Sequence, residues 1–263
     1  MDLGLKGKVA VVTAASAGIG KGIATVLAKE GCEVAICSRN SAKLMATADQ
    51  IRKLSVCHVL AEVADVANFN SLDVFYNKVF KEFGKIDILV NNAGGPPPGR
   101  CFDFSDEQYK NAFDLTLMSV VRSCRKVIPV MVSQKWGRII NIESTSVKCA
   151  LENMVLSNVF RSGVVAFSKT LSMEYAKDGI RSHSLLSGPF YTDRIIELGT
   201  IASSQKGISF EQWRKEAESG TPLGRFGDPI EFGALVAFLV SKNSDYMNGT
   251  CIAIDGGILK TIS

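Results

Sequence analysis

Apolar positions along the chain follow two alternating rhythms. Short runs rich in Val, Ile, Leu and Ala cover residues 8–13, 33–38, 56–63, 86–91, 138–142, 180–186 and 251–254, with the length and β-branched content of buried strands. Between them apolar residues recur at helical spacing: Ile19, Ile23, Val26 and Leu27; Leu44, Ala48 and Ile51 within 41–54; Leu72, Phe75, Tyr76 and Val79 within 69–83. Longer helical stretches follow at about 106–131, 152–177 and 228–241, while 188–227 reads as irregular. Strands separated by helices require crossovers, which are right-handed, and the outcome is an α/β fold: a doubly wound parallel sheet with helices on both faces. In such a sheet ligands lie outside the carboxyl ends of the strands, where the strand order reverses.

Composition narrows this to a single domain over 1–263. At 46% hydrophobic, 263 residues suffice for one large core, and no repeat, linker or low-complexity tract divides the chain. The 30 basic and 26 acidic side chains are mixed along the sequence, with no basic block to follow a phosphate backbone, which argues against a nucleic-acid partner. No signal pattern precedes the first strand and no apolar run reaches the roughly 18 residues a membrane span needs, so a soluble protein with no membrane partner is expected. Seven cysteines, odd in number and without a CxxC pair, lie mostly in apolar runs and suit a reducing cytoplasm. His58 and His183 are the only histidines, and no metal site is expected.

Chemistry should therefore collect at the strand ends. After the first strand, the small residues of Thr13-Ala-Ala-Ser16-Ala-Gly18-Ile19-Gly20 lead into a helix whose free N–H groups and positive dipole end suit a pyrophosphate. The second strand ends Ser38-Arg39; with no acid beside it to accept from ribose hydroxyls, Arg39 is placed to pair with a 2′-phosphate, which favours NADP(H) over NAD(H). The third ends Asp65-Val66, where Asp65 suits a helix cap as well as a ligand contact. The fourth ends Asn91-Asn92-Ala93-Gly94, small and polar enough for a cofactor ring to approach the backbone.

Together these segments resemble the short-chain dehydrogenase/reductase family over nearly the whole chain, and within it the 3-oxoacyl-[acyl-carrier-protein]-reductase-like proteins. Residues 13–20 look like its TGxxxGIG loop with Ala14 in place of the first glycine; Asp65-Val66 resembles its adenine-contacting pair; Asn91–Gly94 is its NNAG signature. Ser187-Gly188-Pro189-Phe190-Tyr191-Thr192 is similar to its PG…T segment, with Thr192 facing the carboxamide, and Pro222–Pro229, Asn248-Gly249 and Asp255–Gly257 resemble its end. The resemblance implies a Rossmann-like domain, a small helical substrate lid over 194–220, a small carbonyl or alcohol substrate, and a homodimer or homotetramer built through the helices at 106–131 and 152–177.

The family's machinery is an Asn, a Ser and a Tyr-x-x-x-Lys. Ser144 fits the serine, but alignment puts Thr116 in place of the asparagine, Ser157 in place of the tyrosine and Arg161 in place of the lysine. The tyrosines at 76, 109, 175, 191 and 246 are followed four positions on by Phe80, Phe113, Gly179, Ile195 and Thr250, so the chain contains no Tyr-x-x-x-Lys. A serine hydroxyl titrates too high to replace a lysine-activated phenol as the exchanging acid, and Arg161 stays protonated. Arg161 can still hold the nicotinamide ribose, and Ser144 with Ser157 can hydrogen-bond an oxyanion. Lys148, expected to be partly desolvated and near Arg161, is the leading proton donor or a clamp for a substrate carboxylate, with Tyr191 the second candidate. Glu143 alternates to the opposite strand face from Ser144 and is expected to be structural; Cys149 is expected to be buried. Gly199, Gly207 and Gly220 are possible hinges of the lid. Two readings follow: an NADP(H)-dependent oxidoreductase with a rearranged active site, or an inactive NADP(H)-binding protein with a regulatory or structural role.

Overall fold

The computed structural model describes residues 1–262. Its strands are β1 (Val9–Val12), β2 (Glu33–Ser38), β3 (Val59–Val63), β4 (Ile88–Asn91), β5 (Gly137–Ser144), β6 (Ile180–Ser187) and β7 (Cys251–Ile254). The connecting helices are α1 (Gly18–Lys29), α2 (Ser41–Leu54), α3 (Phe69–Phe83), α4 (Asp106–Phe113), α5 (Ser119–Gln134), α6 (Val155–Glu174), α7 (Asp193–Lys206), α8 (Phe210–Ser219) and α9 (Pro229–Leu239). All pairings are parallel, in the order β3-β2-β1-β4-β5-β6-β7. The order reverses between β1 and β4, so the carboxyl ends of these two strands, Val12 and Asn91, flank the crevice in which an open parallel sheet binds its ligand.

Alternation along each buried strand divides the core between the two faces of the sheet. On one face Val12, Ile36 and Val90 pack with Ile23 and Leu27 of α1, Leu44 and Ile51 of α2, and Phe232 and Val236 of α9. On the other, Val11, Leu89 and Ile139 pack with Phe75, Tyr76 and Val79 of α3, Val120, Val127 and Met131 of α5, and Val164 and Leu171 of α6. Each large side chain buried this way contributes about 1.5–3 kcal/mol, so the helices are fixed chiefly by their apolar stripes. Side-chain caps set where they begin: Asn40 accepts from Lys43 N–H, Asn68 from Ser71 N–H, and Ser105 and Asp228 form reciprocal capping boxes with Gln108 and Glu231.

The stretch expected as one helix over 106–131 is interrupted: between α4 and α5 the chain makes a π turn, Asp114–Met118, with Asp114 held by Arg122 at 2.7 Å. Residues 188–227, expected as irregular from their periodicity, contain α7 and α8. Among the described residues no helix is long and apolar enough to cross a membrane.

Candidate functional site

The loop from β1 to α1 is built by hydrogen bonds to the end of β4. Thr13 Oγ1 donates to the Asn92 carbonyl at 2.7 Å and accepts from Asn92 N–H at 2.9 Å, while Asn92 Nδ2 donates to the carbonyls of Thr13 and Ala14 at 3.2 and 3.1 Å. Asn92 is thus the residue that joins the two sides of the crevice, whereas the sequence reading singled out Asn91, as a cofactor contact. Asn91 instead faces inward, donating to Asn141 Oδ1 at 2.9 Å. Ala14 has a left-handed backbone, φ +48°, where the family pattern has glycine. A Cβ on Gly20 would stand 2.6 Å from Asn92 Nδ2 and 2.9 Å from the Ala14 carbonyl, so only glycine lets α1 start this close to the loop. At the helix start, Ala17 supplies no side-chain cap. The first N–H groups of α1 therefore take no side-chain cap from Ala17, and Ser16, Gly18 and Ile19 lie in the same loop and first turn.

The remaining predicted cofactor residues arrange themselves around this loop. Ser38 is buried, its hydroxyl donating to the Asn40 carbonyl at 3.3 Å, and Arg39 beside it is exposed and in no ion pair among the described residues. Asp65 Oδ1 accepts from Ala67 N–H at 3.0 Å, so one of its oxygens is committed to a turn, while Val66 and Ala93 line the crevice. Thr192 caps α7, accepting from Ile195 N–H, and lies over the loop, its Cγ2 3.2 Å from where a Gly18 Cβ would be. Gly188 serves packing: a Cβ there would meet Asp255 Cα at 2.5 Å. Gly94 is open on its Cβ side.

The predicted catalytic residues do not form one cluster. Ser144, at the end of β5, accepts from Ser146 N–H at 3.1 Å and caps a short 3-10 turn. Ser157, on α6, is buried and pairs with the Ser146 hydroxyl at 3.3 Å, so Ser146 stands between the two serines expected to act together. Lys148 ends the same turn and is exposed, so the desolvation its role as an acid required is absent; it lies four residues past the strand end, in solvent. Cys149 is likewise exposed, not buried.

Arg161 and Glu143 give the largest departure. Arg161 rises from α6 and donates from one guanidinium nitrogen to the Ile142 carbonyl at 3.0 Å and to Glu143 Oε2 at 3.1 Å. Both side chains are nearly sealed from solvent. Glu143 does point to the opposite face from Ser144, as alternation requires, but that face is where α6 lies. Burial pushes its carboxyl up to about 7, against the opposing pull of Arg161. Glu143, Arg161, Thr116, Asn91 and Thr13 line one crevice, with room of about 10 Å³, close to a single water. Thr116, carried by the π turn, is buried there with its hydroxyl unpartnered.

The segment that carries α7 and α8 is held by aromatic packing. Phe210 and Trp213 lie 5.7 Å apart, Trp213 and Phe226 6.4 Å, and Tyr191 stacks on Phe226 at 6.4 Å with the Arg214 guanidinium 4.7 Å from its other side. Tyr191 is 40% exposed, so it is not a core residue. Gly199 is no hinge: a Cβ would stand 2.1 Å from the Trp213 ring, which packs directly on the α7 backbone. Gly207, at φ +66°, makes the turn between α7 and α8.

Residues 13–259 match the family profile described as Enoyl-(Acyl carrier protein) reductase. The chain is 33% identical over 256 residues to the uncharacterized oxidoreductase YxbG of Bacillus subtilis (strain 168), covering 97% of this chain and 92% of that protein. It is 31% identical over 254 residues to the 3-oxoacyl-[acyl-carrier-protein] reductase FabG of Chlamydia muridarum (97% and 98% covered). The structure of L-sorbose reductase from Gluconobacter frateurii, complexed with NADPH and L-sorbose, superposes with a TM-score of 0.96 at 32% identity over 100% of both chains. With the β1–α1 loop, the Asn91–Gly94 strand end and the seven-stranded order all in place, the chain belongs to the short-chain dehydrogenase/reductase family.

Proposed function

We propose that the protein is an NADP(H)-dependent oxidoreductase acting on a carbonyl/alcohol pair, with an active site that works without a tyrosine acid. The observation that carries this reading is the β1–α1 loop: an uncapped helix start, a Gly20 whose Cβ would collide with Asn92, and a strained Ala14 kept in the turn geometry. These features fit a dinucleotide. Ser16, Gly18, Ile19 and Gly20 would take the pyrophosphate, Ser38 and Arg39 the adenosine phosphate, Asp65 and Val66 the adenine, and Asn91, Ala93, Gly94, Arg161, Gly188 and Thr192 the nicotinamide end. Arg39, exposed with no acid beside it, supports the phosphorylated form, and the L-sorbose reductase relative is a complex with NADPH.

When bound, the nicotinamide supplies or accepts a hydride equivalent at the substrate carbon. Ser144, at the strand end, is the hydroxyl available to hold the substrate oxygen. Ser146 and Ser157 buttress it from below rather than sharing the oxygen. Arg161 supplies fixed positive charge at the pocket wall, although one of its nitrogens is already taken by Ile142 and Glu143. Lys148, exposed at the mouth, is suited to meeting an anionic substrate group and not to donating a proton from a dry site. Half-exposed Val159 and exposed Met173 on α6 support the expected homodimer or homotetramer.

The second reading, a nucleotide-binding protein without turnover, draws on the commitment of Arg161 to Glu143 and of Ser157 to Ser146. NADPH fluorescence titration followed by NADPH oxidation across a panel of ketones and ketoses tests both. Binding with turnover is expected; binding without turnover on any compound favours the second reading, and no binding ends both. Arg39→Ala is expected to weaken NADPH binding about tenfold, the scale of one lost charge-assisted pair, and to leave NADH binding unchanged.

A further inference from the structure

Resting on the oxidoreductase reading, we propose that Glu143 is the proton-exchanging group of the pocket, taking up a proton as a dinucleotide binds at the strand ends that border the crevice and passing it on, through the crevice, to the substrate oxygen. Reduction of a carbonyl needs a proton for the new hydroxyl, and an acid serves best when it titrates near the working pH. Neither serine nor arginine meets that need. Among the crevice-lining residues Glu143 is the only carboxyl, and it sits where the rearranged residues converge: Arg161 donates to it at 3.1 Å and Thr116 lines the same space.

Its surroundings make the proton movable. Buried and titrating at about 7, the carboxyl is poised between its two forms. The charges facing it are few: Arg161 from α6, and, from β7, the half-buried Cys251 thiol, whose own titration is pushed up by burial and influenced by Glu143 and Lys148. The elements otherwise packed around it present neutral groups, the Ser187 hydroxyl bonding the Glu143 carbonyl at 3.0 Å and Asn141 lying two residues back on the same strand face. An anionic ligand bound at the strand ends bordering the crevice adds repulsion, favours the neutral acid and draws a proton from solvent. For transfer onward, the unpartnered Thr116 hydroxyl lines the same crevice as the carboxyl, with space for about one water. One O–H bond breaks at Glu143 and one forms at the substrate oxygen. The carboxylate left behind faces Arg161, and solvent restores its proton.

The test is NADPH binding by calorimetry at pH 7 in two buffers of different ionisation heat, on the wild type and on Glu143→Gln. The wild type is expected to take up about half a proton per site more than the variant, since a group titrating at the working pH begins half protonated. Protonation of the 2′-phosphate of NADPH is common to both and cancels. Equal uptake overturns the proposal while leaving the nucleotide-binding reading intact; absence of binding overturns both. Should Glu143→Gln fail to fold, infrared difference spectra of the wild type decide: a carboxylic-acid C=O band gained on NADPH addition supports the proposal, and its absence overturns it. In turnover, the variant is expected to lose the pH dependence near neutrality, and Glu143→Asp to restore part of it.

Discussion

At the scale of single residues, the site is defined by substitutions that compensate one another. A guanidinium at 161 places a buried positive charge beside β5, and the carboxyl at 143 answers it from the neighbouring strand face; removing one partner of such a buried pair costs about 3–5 kcal/mol. Ala14 has no such partner. A left-handed alanine costs about 1–2 kcal/mol, and glycine there gives back part of that gain through its freer unfolded chain. Ala14→Gly is therefore expected to raise unfolding free energy by about 0.5–1 kcal/mol in urea titrations, with the Asn92 hydrogen bonds unchanged.

At the scale of elements, the π turn at Asp114–Met118 and the α7–α8 cap are the two places where the architecture serves the site most directly. The wide turn rotates Thr116 into the crevice while α5 continues along the sheet, as such bulges do at functional positions. The cap depends on Trp213 lying flat on Gly199. Gly199→Val is expected to expel the indole, cost about 1–3 kcal/mol of stability through overpacking, and shift tryptophan emission to longer wavelength. Trp136, held between Lys8 and Arg138, should contribute an unchanged component.

These elements also show what was legible beforehand. α2, α3, β2 and β7 carry clean stripes between cap residues, and their bounds are readable to the residue. The π turn leaves no mark, since its residues keep helical backbone angles and apolar spacing. The periodicity of 188–227 reads as irregular, and helices there are expected only through the family resemblance, because the anchors of α8, Trp213 and Phe210, find partners on each other and on Phe226 instead of on the sheet. The nucleotide loop was readable because its glycines, threonine and asparagine lie close in sequence to the strand ends that use them. Glu143 was not: alternation fixes the face a side chain occupies, but only the packing of α6 decides that this face holds Arg161.

At the scale of the whole molecule, two buried titrating groups pull stability in opposite directions with pH. Glu143, raised from 4.5 to about 7, contributes stability fully present below pH 4.5 and lost as pH rises through 7. His183, buried against Thr250 and lowered from 6.5 to about 4, contributes stability present above pH 6.5 and lost as pH falls through 4. Each is worth about 3 kcal/mol across its window at 1.4 kcal/mol per unit, so between pH 4.5 and 6.5 the two nearly cancel. Relative to the wild type, Glu143→Gln is expected to lose stability progressively as pH falls through that interval, and His183→Gln to gain it, in urea unfolding at a series of pH values.

Helix α1 meets α9 at a point where a Gly22 Cβ would lie 2.4 Å from the Pro229 carbonyl, and Gly233 is equally tight against Val26. The helix that begins at the pyrophosphate loop thus rests on a segment more than two hundred residues later. During synthesis the first βα unit emerges early but lacks the surface that fixes its angle until the final stretch leaves the ribosome. A chain truncated before α9 is therefore expected to retain no nucleotide, and the binding loop, made well before α9, becomes competent only after it.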